Sequence, residues 1–99
     1  MAAKRKVEWT PEAVQQLGHI RNFPEQSWGV VIVQRFVLLL QEFELLAVRF
    51  PLGYPASPTH PELRMATVHK NVKVIYRVDP DRILVITLLD NRADNSGWA

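Results

Sequence analysis

Apolar and polar residues alternate at the start of the chain and then change to a helical spacing. From Lys4 to Trp9 charged and apolar residues take turns, which is typical of a β-strand with one buried face. Thr10 and Pro11 suit the N-cap and the first turn of a helix. The apolar positions of this helix are Ala13, Val14, Leu17 and Ile20. The helix is predicted to end near Asn22, because Phe23 precedes a proline and therefore disfavours helical backbone angles.

The segment from Glu25 to Phe50 combines a strand-like beginning with a helical arrangement of polar residues. Gly29 to Val33 would suit a buried strand on its own, because it is rich in β-branched residues. The polar residues that follow recur at seven-residue intervals: Gln34, Arg35, Gln41, Glu42 and Arg49. Seven residues are close to two helical turns, so these side chains gather on one side of a helix. We therefore predict one long helix that has Ser27 as its N-cap and ends before Pro51.

The second half of the chain has the pattern of a sheet. Four prolines lie between positions 51 and 61 and predict a loop with little regular structure. Three apolar runs follow it and predict strands over 63–68, 72–78 and 82–89. The predicted fold is α+β in the order β-α-α-β-β-β, with two helices on one face of a small, mainly antiparallel sheet. We expect a single domain over residues 1–99, in which 90–99 form a flexible tail.

Composition restricts the function in several ways. With 99 residues and 47% apolar side chains, the chain has room for one core, and its net charge of +2 is low for a protein that coats duplex nucleic acid. The chain has no cysteine, which excludes disulfides and thiolate metal sites, and its three histidines lack ligand spacing. No apolar run is long enough to span a bilayer, and no secretion signal is visible. We expect a cytoplasmic protein that uses no metal, cofactor or membrane partner.

The clearest candidate for chemistry is a group of cations around the middle strand of the sheet. Val72, Val74, Tyr76 and Val78 are expected to share the core face, which leaves Lys73 and Arg77 on the other face. The other basic residues that could converge there are Arg64, Lys70 and Arg92. Such a surface could hold an RNA backbone and stabilise charge on a phosphate during cleavage, with His69 as a proton-transfer group. An ordinary solvated sheet face and a structural histidine are the alternatives.

A second candidate is an apolar stripe on the long helix. Val31, Leu38 and Leu45 recur at heptad spacing on the side of the helix that is otherwise polar. A monomer gains nothing by exposing them, so we interpret this apolar stripe as a contact surface for a partner helix or for a second copy of the chain. The alternative is that the proline-rich loop folds over the stripe.

Several short segments, in their order along the chain, resemble the RelE/ParE superfamily of toxins. They are Val7 to Ala13, Ser27 at the start of the long helix, Phe50 to Gly53, Leu63-Arg64, Val74 to Val78 and Asp90 to Asp94. The resemblance covers nearly the whole chain and implies the same β-α-α-β-β-β fold. It also implies a toxin that is neutralised by an antitoxin encoded beside it, and such an antitoxin would cover the apolar stripe.

The superfamily implies two different targets. Toxins of the ParE type poison DNA gyrase, whereas those of the RelE type cleave mRNA on the ribosome. In the RelE type, basic residues at positions that match Arg64, Lys73 and Arg92 hold the mRNA phosphate, and a tyrosine near the C-terminus helps catalysis. This chain has Ala66 where the RelE type has a second strand lysine, and it has no tyrosine after Arg92. The tail sequence around 90–94 is ParE-like, so we expect a gyrase-binding toxin that performs no chemistry. The alternatives are a ribosome-dependent endoribonuclease and a binding module that has lost toxicity.

Overall fold

The structure, a computed structural model, describes residues 5–22, 29–69 and 72–90. Over these residues the elements are β1 (Lys6–Trp9), α1 (Pro11–Asn22), α2 (Gly29–Arg49), β2 (Arg64–His69), β3 (Val72–Val78) and β4 (Arg82–Asp90). The predicted order β-α-α-β-β-β is confirmed. The expected flexible tail and the expected N-cap at Ser27 lie outside the described residues.

The strands form one mixed sheet in the order β1-β4-β3-β2. β2, β3 and β4 pair antiparallel through short connections, whereas β1 pairs with β4 in parallel. A parallel pair needs a long crossover, and here both helices and two strands lie between the two partners. The sheet is therefore mainly antiparallel, as predicted, with β1 at one edge and β2 at the other.

The helix α1 begins where the sequence predicts it. The Thr10 hydroxyl accepts a hydrogen bond from the Ala13 N–H at 3.1 Å and donates one to the Ile86 carbonyl oxygen at 2.6 Å. One side chain thus caps the helix and ties its start to β4. Ala13 and Leu17 pack into the core, whereas Val14 is 56% exposed and does not contribute to it.

The helix α2 is continuous from Gly29 to Arg49, as predicted, and it supplies the core on one face. Its buried residues follow a spacing of three to four: Phe36, Leu40, Phe43 and Ala47. They pack against the apolar face of β2, β3 and β4, which includes Ala66, Val74, Tyr76 and Val85. Both helices therefore cover the same face of the sheet, and the core lies between them and the strands.

A β-bulge in β4 decides which of its residues reach the core. Ile75 pairs with Thr87 and Tyr76 pairs with Val85, so Ile86 is an extra residue without a partner on β3. The bulge shifts the alternation by one position. As a result Val85 and Leu88 both pack beneath the helices, although they are three residues apart.

The proline-rich loop is attached to the sheet at two points. The Tyr76 hydroxyl donates to the Pro51 carbonyl oxygen at 2.8 Å, and the Tyr54 ring packs against Phe43 and Tyr76. Further along, Ala56 forms a bridge with Arg64 at the start of β2. The loop therefore runs beside β2 and does not turn toward the outer side of α2.

Candidate functional site

The two cations that were expected to act together lie on opposite faces of the sheet. Arg64 stands opposite Tyr76 across the β2–β3 pair, and residues directly opposite each other share a face. Tyr76 is fully buried against Phe43 of α2, so Arg64 belongs to the helix-covered face. Lys73, three residues before Tyr76, points to the other side, which we call the reverse face. This register disfavours the predicted convergence of Arg64 with Lys73, which stays a prediction.

Arg64 has a structural contact on its own side. Its Nη1 donates to the Tyr54 carbonyl oxygen at 3.1 Å and so helps to hold the loop against the sheet. Burial raises the pKa of the neighbouring Tyr76 to about 12, and the charge of Arg64 partly opposes that rise. Tyr76 is consequently a neutral hydrogen-bond donor near pH 7.

The reverse face is packed with apolar side chains and is not an open cationic surface. Ile75 is fully buried there together with Leu63 and Leu89, and Met65 and Ile86 pack around them. The sequence pattern placed Ile75 between Lys73 and Arg77 as part of a charged surface. The bulge at Ile86 and the approach of Leu63 from the loop, neither of which the pattern shows, give this face its own small core.

Arg77 is held in an ion-pair network at the β3–β4 turn. Its Nε and Nη2 donate to the two carboxylate oxygens of Asp79 at 2.8 and 3.1 Å, and Arg82 Nε donates to the same carboxylate at 2.8 Å. These hydrogen bonds, first from Arg77 and then from Arg82, lower the pKa of Asp79 to about 2. Arg82 also reaches Glu8 of β1 at 2.8 Å. Because Asp79 already binds Arg77 on two nitrogens, this geometry disfavours Arg77 as the predicted phosphate contact.

His69 lies at the end of β2, next to an irregularity in the pairing with β3. Its ring stands edge-on to the buried ring of Phe36, with the centroids 6.5 Å apart. Such packing against a buried ring is typical of a structural histidine. The proton-transfer role of His69 stays a prediction. Lys70 and Arg92 lie outside the described residues, as does the side chain of Val31.

The apolar stripe is exposed where the structure describes it. Leu38 is 64% exposed and Leu45 is 72% exposed on the outer side of α2. The alternative in which the proline-rich loop folds over the stripe is wrong for these two residues, because the loop is anchored to Tyr76 and β2 instead. Their role as a partner contact stays a prediction.

A groove that the sequence did not indicate lies between β1 and α2. Two adjoining pockets of about 620 and 680 Å³ share Leu45 and Val48 on the helix side. The remaining wall residues come from both elements and the residue before β1: Arg5, Lys6, Val7, Gln41, Glu44 and Arg49. We call this the β1–α2 groove. β1 lies at the edge of the sheet beside α2, and that position has no signal in the local sequence pattern.

Neither a metal-binding group nor a membrane-spanning helix is found among the described residues. No group of three acidic, histidine or cysteine side chains there is arranged to hold a metal ion. No helix over 5–22 or 29–69 is long and apolar enough to cross a membrane.

The family of this chain follows from its sequence. The sequence model described as "ParE toxin of type II toxin-antitoxin system, parDE" matches residues 7–95. The chain belongs to the ParE toxin family. Apart from Lys6, the first residue of β1, the match includes all the strands and helices of the described residues. No curated protein sequence matches the chain.

Solved structures with the same fold come from related toxin systems. The chromosomal ParDE system of P. aeruginosa is similar with a TM-score of 0.73 at 17% identity, over 88% of this chain and 96% of that one. The RelBE2 toxin–antitoxin complex of Mycobacterium tuberculosis follows with a TM-score of 0.62 at 17% identity, over 89% and 99%. The YoeB dimer of Staphylococcus aureus has a TM-score of 0.61 at 12% identity, over 88% and 97%. At these identities the similarity supports the fold of a ParE-type toxin and no individual target.

Proposed function

We propose that this ParE-family toxin stops bacterial growth by binding DNA gyrase, and that it is regulated by its own antitoxin. We favour gyrase over mRNA as the target because Arg64 and Lys73 lie on opposite faces of the sheet. Cleavage of an RNA phosphate by cations requires several of them at one phosphate, where they stabilise the charge of the transition state. The described residues offer no such meeting point, so a binding mechanism fits this chain better than a nuclease mechanism.

The contacts of the other cations support the same choice. Arg77 is paired with Asp79 through two hydrogen bonds, and Arg64 supports the loop at Tyr54. Each of these guanidinium groups therefore stabilises the fold where it stands, and moving either to a phosphate would break contacts that the chain uses. Lys73 remains on the reverse face beside the apolar cluster of Ile75 and Leu89.

The antitoxin is the partner that the exposed helix surface fits best. Leu38 and Leu45 are large apolar side chains on a surface that a stable monomer would keep polar. The structural relatives include toxin–antitoxin complexes from two bacteria. A bound antitoxin would remove these leucines from water. A second copy of the chain could cover the same stripe, and the oligomeric state of the free toxin separates the two cases.

Expression of the toxin alone in a bacterium tests the proposed target. We expect growth to stop with DNA breaks that depend on gyrase, while incorporation of labelled amino acids continues at first. The Lys73→Ala variant should arrest growth as the parent does, because this account gives Lys73 no role in chemistry. The Arg92→Ala variant, at position 92 of the tail, should arrest growth in the same way.

The opposite pattern would support the nuclease alternative. In that case protein synthesis stops early, new mRNA ends appear, and Lys73→Ala or Arg92→Ala abolishes both effects. Continued growth of cells that contain the folded, soluble parent chain would instead support a binding module without toxicity.

A further inference from the structure

The exposed apolar side chains of this protein are concentrated on one surface. Six large apolar residues are exposed among those that the structure describes, and one of them, Val14, lies on α1. The other five belong to the outer side of α2 or to the turn that follows it, and we call them the α2 patch: Leu38, Leu45, Leu46, Phe50 and Leu52. Single exposed apolar residues are ordinary on a monomer, whereas a contiguous group of this kind indicates an interface.

Two opposite charges flank Leu45 on the same side of α2. Glu42 and Arg49 are both exposed, and at about 100° per residue both lie within about 60° of Leu45 around the helix. In the described part of the chain neither charge takes part in an ion pair, although the Arg49 guanidinium lies 5.5 Å from the centre of the Phe50 ring. Both charges are therefore available to a partner that presents the opposite signs at the same spacing.

A second copy of the chain presents those signs when the two α2 helices run antiparallel. Glu42 precedes Leu45 by three residues and Arg49 follows it by four, so the two charges lie at nearly equal distances on either side of it. A two-fold axis beside Leu45 therefore places Glu42 of each copy against Arg49 of the other, and one arrangement forms two ion pairs. The same axis brings Leu38 of each copy toward Leu52 of the other, so the α2 patch is covered by its own symmetry mate.

The charges also distinguish this register from its neighbours. An axis at Glu42 would place Glu42 against its own copy and Arg35 against Arg49, so that only like charges meet. An axis at Leu38 would pair Arg35 with Glu42, but it would leave the exposed apolar residues of the turn after α2 in water. The axis beside Leu45 is therefore the arrangement that matches opposite charges and also covers the apolar surface.

We propose that the toxin without its antitoxin forms a two-fold symmetric dimer through the α2 patch, with the axis beside Leu45. Burial of the apolar residues supplies most of the affinity, and the two pairs of Glu42 with Arg49 determine the register. The dimer goes beyond the proposed function and does not depend on which target the toxin binds. An antitoxin that covers Leu38 and Leu45, as proposed above, would displace the second copy.

Sedimentation equilibrium of the purified toxin, freed of antitoxin, measures the dissociation constant of the dimer. Leu45→Asp should weaken dimerisation more than about 100-fold, because the symmetry places two leucines and then two charges in the contact. Val14→Asp adds the same charge at the exposed apolar residue outside the α2 patch and should change the constant less than about threefold. Circular dichroism shows that both variants fold. A parent toxin that stays monomeric up to about 1 mM, or equal losses for the two variants, would overturn the proposal.

An exchange of charges tests the register. Glu42→Arg and Arg49→Glu should each weaken the dimer roughly 10- to 30-fold, because each change turns both symmetric ion pairs into repulsive pairs. The double variant restores both pairs in the reverse order and should return to within about threefold of the parent. Arg35→Glu, an exposed cation of α2 without a partner in this register, should have little effect. A double variant that does not recover, or an equal loss for Arg35→Glu and Arg49→Glu, would refute the arrangement.

A single introduced cysteine locates the axis, because the chain has no cysteine of its own. Leu45→Cys should form a disulfide-linked dimer under mild oxidation, since the two copies of position 45 meet beside the axis. Position 38 is seven residues away, so two Leu38→Cys side chains would be roughly 20 Å apart and should stay unlinked. Linkage through Leu38→Cys, or none through Leu45→Cys, would contradict the proposed axis. These experiments use neither gyrase nor ribosomes, so failure of the dimer and failure of the proposed target are separate results.

Discussion

Ile75 lies at the centre of the reverse face, and truncating it tests whether that face is a packed surface. The side chain is fully buried, with Leu63 and Leu89 in the same cluster. Ile75→Ala removes three carbon groups, each contributing about 0.8 kcal/mol when buried, or roughly 2.4 kcal/mol in total. The cavity that remains adds to this loss, and Ile→Ala substitutions in cores generally cost about 2 to 5 kcal/mol. We expect the free energy of unfolding to fall by roughly 3 kcal/mol, a large part of the stability of a small domain.

Urea unfolding followed by tryptophan fluorescence and circular dichroism measures the effect of Ile75→Ala. Ile75→Val should cost only about 0.5 to 1.5 kcal/mol, because it removes one carbon group. Lys73→Ala, on the same face but partly exposed, should change stability by less than about 0.5 kcal/mol. The slope of the free energy against urea should be the same in all variants. A cost below about 1 kcal/mol for Ile75→Ala would show that the reverse face is open and has room for a phosphate.

Two further predictions concern single hydrogen-bonding groups. The pKa of Asp79 is lowered from 3.8 to about 2, so the stability that Asp79 contributes is fully present above about pH 4 and is lost as the pH falls toward 2. The difference in melting temperature between the parent and Asp79→Asn should therefore shrink over that range, and a constant difference would contradict the ion-pair assignment. Thr10→Ala should lower the free energy of unfolding by roughly 1 to 2 kcal/mol through loss of the helix cap. Thr10→Ser keeps the hydroxyl and should recover most of that loss in the same urea experiment.

The elements of this fold follow from local sequence patterns, because each depends on residues that are close in the chain. Thr10 caps α1 as predicted, and the seven-residue recurrence of polar side chains from Gln34 correctly favours one helix over a strand at Gly29 to Val33. The spacing of apolar and polar residues over a few helical turns is sufficient to distinguish a helix from a strand.

The site could not be predicted in the same way, because it depends on strand register and sheet order. Whether Arg64 shares a face with Lys73 depends on the register of β2 against β3. The amino-acid composition of two neighbouring strands does not reveal their register. The bulge at Ile86 has no local signal, yet it determines the residues that pack on each face of β4. The position of β1 beside α2 depends on the pairing of β1 with β4, which joins Lys6 to Arg82 and Trp9 to Val85 across most of the chain.

Purified toxin added to DNA gyrase and relaxed plasmid DNA, beside a cell-free translation reaction, distinguishes a gyrase poison from a ribosome-dependent nuclease. We expect the toxin to inhibit supercoiling or to trap cleaved DNA at concentrations that leave translation and mRNA intact, and we expect its antitoxin to reverse the effect. Intact gyrase activity together with mRNA cleavage that requires ribosomes would show that the chain is a nuclease and does not act on gyrase.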